Sequence, residues 1–225
     1  MSFGEAYAVT RRSIADLVND LDEEHARLVV PACPAWTVRD LLAHLSGIAV
    51  DASKGNLVGV GSDEWTQRQL DERKDMSMAE LLTEWDGVAD QIAGALDYFP
   101  KGAASLFVGD TVTHEHDMRL PLRRPGDRNS PAVDVALEGY VRWFGRRLKD
   151  RDMPAVKLEA EGHEWVAGAG EPAITVAAPT KFDLLRALTG RRTRDEIAGL
   201  GWSGDPAPYL DAFSMYGMPP APLGE

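Results

Sequence analysis

A single cysteine, Cys33, occurs among the 225 residues. One thiol excludes an internal disulfide and fits a reducing compartment, so a cytoplasmic location is expected. No apolar run approaches the roughly eighteen residues of a membrane-spanning helix, and no membrane role is expected. The stretch Met1 to Leu17 lacks a basic region followed by an apolar one, so no signal peptide is expected either. Positive charge is scarce: 24 Lys and Arg stand against 36 Asp and Glu, a net charge of −12. Such a surface repels phosphate backbones, which argues against nucleic acid as a partner. The chain has no G-x-S-x-G elbow, and Gly109 and Gly126 lack the spacing of a phosphate-binding loop. Cys33 lies between Pro31 and Pro34 with no neighbouring base, a poor setting for nucleophilic catalysis. Internal repeats are absent.

What is present reads first as helix. Ile14, Leu17, Val18 and Leu21 recur at helical spacing within residues 4–22. Leu28 to Pro34, with two prolines, predicts an irregular link. Thr37 and Asp40 then form a capping box, and Val38, Leu41, Leu42, Leu45, Ile48 and Ala49 make one apolar stripe behind it. Residues 51–76 read as a polar excursion with a short helix near Glu64 to Glu72. A second capping box, Ser77 to Glu80, opens a long helix carrying Leu81, Trp85, Ile92 and Leu96. A helix over roughly 105–120 follows, broken by the turn-rich stretch from Pro121 to Asp127. Ser130 and Pro131 start another over 131–149. Its basic cluster, Arg142 to Lys149, reads as a solvated face.

Beyond Asp150 the pattern changes to apolar–polar alternation, with strands at 155–160 and 173–178. Turns are expected around Gly162 and Gly168 to Gly170, and a helix over Phe182 to Leu188 closed by Gly190. The tail from Gly199 carries Trp202, Tyr209, Phe213 and Tyr216, and reads as extended coil with one short helix. The fold class is therefore α+β: a four-helix bundle over residues 1–150 and a small α+β domain over 151–225.

The chemistry concentrates at Asp110, His114 and Asp117. As a helix these fall at i, i+4 and i+7 and share one face with Leu106 and Phe107, while Glu115 and Arg119 point away. Charged groups continuing an apolar stripe need partners or a metal. Asp110 and His114 can grip a divalent cation from one side, and His44, at the border of its own stripe, is the natural third ligand. Asp117 is placed to hydrogen-bond a ligand imidazole. His116 lies too far around the helix to join. Spacing alone leaves two readings open, a metal site and a buried polar network without metal.

The segment Cys33-Pro34-Ala35-Trp36-Thr37-Val38-Arg39-Asp40-Leu41-Leu42-Ala43-His44-Leu45 resembles the first signature of the mycothiol-dependent maleylpyruvate isomerase family, part of the DinB/YfiT-like metalloprotein superfamily. Asp110, His114 and Asp117 match its second signature, in which glutamate usually stands where this chain has Asp110. The resemblance implies a DinB-like bundle, a sterol-carrier-like C-terminal domain, and His44, Asp110 and His114 as ligands of a divalent metal, zinc first among them. It implies mycothiol as the thiol cofactor and a small electrophile as substrate, in a thiol-dependent isomerase or S-transferase acting as monomer or homodimer. It also implies an arginine of the second domain at the active site, for which Arg191, Arg192 and Arg194 are candidates and Arg191 is preferred. A solvated basic helix end is the plain alternative for all three. A non-catalytic protein binding metal or a small ligand is the second functional reading, and metal-dependent hydrolysis a third.

Overall fold

The structure, a computed structural model, describes residues 1–225. The chain packs as two compact units, one of Met1–Phe99 with His114–Gly126 and one of Pro100–Thr113 with Asp127–Glu225.

In the first unit, helices α1 (Phe3–Val18), α3 (Val38–Lys54) and α5 (Met78–Leu96) bury the predicted stripes against one another. Ile14, Leu41, Leu42, Leu81 and Trp85 are fully buried in the resulting core. Trp85 Nε1 donates to the Tyr7 hydroxyl at 2.7 Å, so the buried indole N–H finds its acceptor on the neighbouring ring. Burial pushes the Tyr7 phenol up to about 12, against the Trp85 hydrogen bond and the charge of Arg11. A one-turn helix, α2 (Glu23–Ala26), follows α1.

Leu28 to Pro34 is more ordered than its prolines suggest. β1 (Val29–Val30) and β2 (Cys33–Thr37) pair antiparallel and feed straight into α3. A two-stranded ribbon has an open edge on each strand, so Pro34, which has no N–H, costs it no ladder bond that a central strand would need. The α3 cap is complete: Thr37 Oγ1 accepts from the Asp40 amide at 3.2 Å, and the Asp40 carboxylate accepts from the Thr37 amide at 2.9 Å. The shorter aspartate therefore closes the box as glutamate does in the second one, at Ser77 and Glu80.

Within 51–76 the expected short helix is α4 (Asp63–Glu72). It packs on α3 at Gly47, where a Cβ would stand 2.8 Å from Gln69 Cβ; only glycine admits that approach. Arg73 Nε donates to Glu84 at 2.6 Å and ties the end of α4 to α5.

Helix α6 (Lys101–Leu122) runs through both units and passes the expected break at Pro121. A proline in the last turn forfeits one backbone bond near an end that frays anyway, so the helix tolerates it. Thr111 to Met118 are buried on every side of α6. Glu115 faces away from Asp110 as expected, but it is only 8% exposed: it accepts from Ser13 of α1 at 2.7 Å and from Arg119 at 3.0 Å.

In the second unit, α7 (Pro131–Asp150) starts at the Ser130 cap with Pro131 in its first turn. Strands β3 (Val156–Ala160), β4 (His163–Ala167), β5 (Ile174–Ala178) and β6 (Gly201–Trp202) form one sheet in the order β4-β3-β5-β6. β3 and β5 are parallel and the other pairs antiparallel. Val156, Leu158, Ile174 and Val176 alternate inward, the period-two pattern read from the sequence. Helices α8 (Lys181–Leu188), α9 (Arg194–Ala198) and α10 (Ala207–Phe213) complete the unit, with Gly190 left-handed at φ 79° just after α8. At Gly145 of α7 a Cβ would meet the Gly168 amide nitrogen at 2.6 Å, so helix and sheet touch through bare backbone. Of the tail aromatics, Tyr209 and Phe213 are core: Trp202 lies against both and Phe213 against Phe144, while Tyr216 is exposed. The architecture is α+β, a helical N-terminal region followed by a small sheet domain, as expected. No helix is long and apolar enough to cross a membrane.

Candidate metal centre

His44 and His114 meet edge to face, their ring centroids 5.5 Å apart at 87°. Both are nearly buried, at 6% and 7% exposure. Two helices bring them together: the α3 stripe turns His44 inward at its border, and α6 places His114 in its buried middle. The Trp36 ring, delivered by β2, packs 5.0 Å from His44 and 6.3 Å from His114.

Each imidazole is oriented by a partner on Nδ1. Asp117, fully buried one turn further along α6, lies 3.0 Å from His114 Nδ1. A carboxylate can only accept, so the proton sits on Nδ1 and Nε2 is the basic nitrogen. His44 reaches the same state by a longer route. Its Nδ1 is 3.2 Å from Gln69 Oε1, and Gln69 Nε2 donates to Asp51 at 2.9 Å. Because Asp51 must accept, the amide of Gln69 is turned with its oxygen to His44, which again puts the proton on Nδ1. Arg68 donates to the same oxygen, Asp51 Oδ2, at 3.0 Å.

Asp110 stands one helical turn before His114 on the same α6. The ligand atoms of His44, Asp110 and His114 all lie within 4.8 Å of one another. Two imidazoles and a carboxylate at this spacing suit a divalent transition metal and leave coordination positions for other ligands. The donor set thus fits the group that the sequence pattern implies. His116 is buried too, at 6%, but takes part in no such cluster.

The sequence reading missed three participants. Gln69 was an unremarkable polar residue in the 51–76 excursion. Trp36 was noticed only as part of a signature. Cys33 does have a base beside it: its Sγ, His114 and Asp117 form a second group with ligand atoms within 4.8 Å. The hairpin of β1 and β2 folds the cysteine back over α6, which sequence neighbours could not reveal.

The three arginines separate clearly. Arg194 is the solvated helix end, half exposed and paired with Asp211. Arg192 pairs with Glu225 and Asp183. Arg191 is only 4% exposed, donates to the Thr189 carbonyl at 2.5 Å and lies 5.7 Å from the Tyr216 ring centroid. Its charge is felt at Tyr140, the buried α7 phenol that packs against Gly109 of α6. Burial, the Tyr216 phenol and the Asp110 carboxylate all raise Tyr140 well above the ordinary tyrosine value, while Thr113 and Arg191 temper the rise. Tyr140 therefore stays protonated.

A helical bundle with a His, Asp and His cluster, continued by a small mixed sheet, defines a recognisable class of two-part proteins. Residues 7–127 match the family model of the mycothiol maleylpyruvate isomerase N-terminal domain. The match spans more than half of the chain, and the chain belongs to the mycothiol maleylpyruvate isomerase family. A crystal structure of the mycothiol-dependent maleylpyruvate isomerase is similar over 90% of this chain and 95% of that one, with a TM-score of 0.59 and 12% identity. A crystal structure of a histidine-to-alanine mutant of that enzyme is similar over the same shares, at 0.60 and 11%. At such identity the likeness speaks for the fold alone. A search of curated sequences gives no match.

Proposed function

We propose that the protein is a metal-dependent enzyme that uses mycothiol to isomerise, or to transfer the thiol onto, a small electrophilic substrate. His44, Asp110 and His114 are the proposed ligands, and zinc is the first metal to consider. The observation that supports this is that the ligand atoms of the three residues lie within 4.8 Å of one another while Nδ1 of each imidazole faces a side-chain oxygen. Family membership supplies the thiol and the reaction class.

A divalent ion held by these donors supplies Lewis acidity that favours thiolate over thiol near neutral pH. The chain's own residues do the rest. Asp117 and Gln69 keep the protons on the outer nitrogens, so that neither histidine must shed one to act as a ligand. Asp117 also places its carboxylate 3.0 Å from His114 Nδ1, a charge-assisted contact that fixes the ring. Trp36 walls the histidine pair with an apolar face, which limits water around it. Arg191 is the proposed catalytic arginine, a fixed positive charge suited to a carboxylate or enolate of the substrate. Reduced thiol as co-reactant fits a reducing compartment such as the cytoplasm.

The competing reading, a binder that holds an apolar ligand on its aromatic tail, loses its main feature. Phe213 is fully buried and Tyr209 nearly so, leaving that cluster occupied as core. The deciding experiment incubates metal-loaded protein with mycothiol and a panel of small electrophiles and follows thiol and product. Turnover in the wild type that is absent in His114→Ala is expected. Failure to consume or rearrange any electrophile would favour the binder.

A further inference from the structure

Cys33, His114 and Asp117 bring a thiol, an imidazole and a carboxylate together, with ligand atoms all within 4.8 Å of one another. His114 and Asp117 are buried on α6, at 7% and 0% exposure, and Cys33 is half-buried at the start of β2. The group is therefore unlike the exposed acidic patches that water and salt neutralise. Asp117 already stands 3.0 Å from His114 Nδ1. A zinc-like ion makes bonds of about 2.0–2.3 Å, which sets neighbouring ligand atoms roughly 3.5 Å apart. A modest shift of the hairpin that carries Cys33 closes the set around one ion.

This set differs from His44, Asp110 and His114 in softness, in charge and in the side of the ring it uses. Its sulfur, bound as thiolate, favours thiophilic ions, whereas the other set offers only nitrogen and oxygen. The thiolate and the Asp117 carboxylate together cancel the charge of a divalent ion. A neutral assembly is cheaper to bury than the net positive one that a single carboxylate leaves. Asp117 faces Nδ1, the nitrogen on the opposite side of the ring from the basic Nε2. A neutral imidazole has one lone pair to give, so one ring serves an ion on one side at a time.

We propose that Cys33 Sγ, Asp117 and His114 Nδ1 form a second metal position, for a thiophilic divalent ion. Binding releases the thiol proton to solvent and moves the ring proton from Nδ1 to Nε2, so metal bonds replace the hydrogen bond between Asp117 and His114. An ion without a strong preference for sulfur stays with His44, Asp110 and His114, where that hydrogen bond is kept. The second position shares His114 with the proposed centre but needs neither His44 nor Asp110, and no thiol cofactor, so the two assignments fail separately.

The test titrates cadmium chloride into full-length protein freed of metal by chelation, and follows the thiolate-to-cadmium charge-transfer absorption in the ultraviolet. Cys33 is the only cysteine, so such a band reports one bond. The band should appear in the wild type, persist with undiminished affinity in His44→Ala and vanish in Cys33→Ser. Asp117→Asn should weaken the cadmium affinity read from it by about tenfold or more, since an anionic ligand is lost. A wild type without the band, whether or not cadmium binds, would leave Cys33 a hydrogen-bonding thiol only and overturn the proposal. A band lost in folded His44→Ala would make the thiol an added ligand of the first position, and overturns it equally. So does an affinity unchanged in Asp117→Asn; if that variant does not fold, the wild type and His44→Ala still decide.

Discussion

The two histidines of the candidate centre are held in the same tautomer by different means. On α6, His114 takes its orientation from Asp117, three residues along the same helix and fully buried. At the corner of α3 and α4, His44 takes its own from Gln69, a neutral amide 25 residues away, which in turn leans on Asp51. One arm is short, local and charge-assisted. The other is long, tertiary and neutral, and depends on Gly47 admitting Gln69 to the α3 surface. The difference teaches that a ring can be oriented by a charged local acceptor or by a neutral distant one: Asp117 brings both charge and placement to His114, whereas the Gln69 relay only places His44.

That contrast predicts a ranking of effects on metal affinity. Asp117→Asn should be the most damaging of the supporting changes, weakening metal binding by about 10- to 100-fold in a chelator competition, because the charge is lost and the amide can turn its nitrogen toward the imidazole. Gly47→Ala should come next, at roughly tenfold, with about 1–3 kcal/mol of lost stability in a denaturant titration, as the new methyl drives Gln69 from the helix. Gln69→Ala should weaken binding by roughly tenfold or less, since a water can replace a neutral acceptor. Asp110→Glu should have the smallest effect, within about threefold of the wild type, because either carboxylate suits the metal. A Gln69→Ala variant that loses more affinity than Asp117→Asn would invert the ranking and show that placement matters more than charge.

The same contrast explains what could be read in advance. Asp110, His114 and Asp117 share one helix, so their spacing alone puts them on one face, and the i+3 hydrogen bond of His114 follows from it. His44 was legible too, because the α3 stripe fixes which way its side chain turns. Gln69 was not, because its partner is 25 positions away in a segment with little periodicity. Cys33 looked isolated while the prolines around it read as an irregular link; pairing of β1 with β2 is a tertiary outcome that brings it to His114. Arg191 and Arg192 looked like a solvated helix end. Their partners include Tyr216 and Glu225, which arrive from a tail with no local pattern of its own. The alternating strands β3 and β5 and the capped helices, by contrast, carry their instructions within a few residues, so the α+β class was readable, whereas β4 and β6 fall in stretches that read as turns and extended coil.

Metal analysis of the purified protein beside His44→Ala and His114→Ala tests the candidate centre most directly. About one divalent ion per chain is expected in the wild type, and a small fraction of that in each variant, since each loses one of three protein ligands. Circular dichroism spectra matching the wild type would show that the losses are local. Full metal occupancy retained in both folded variants would contradict the assignment of His44 and His114 as ligands.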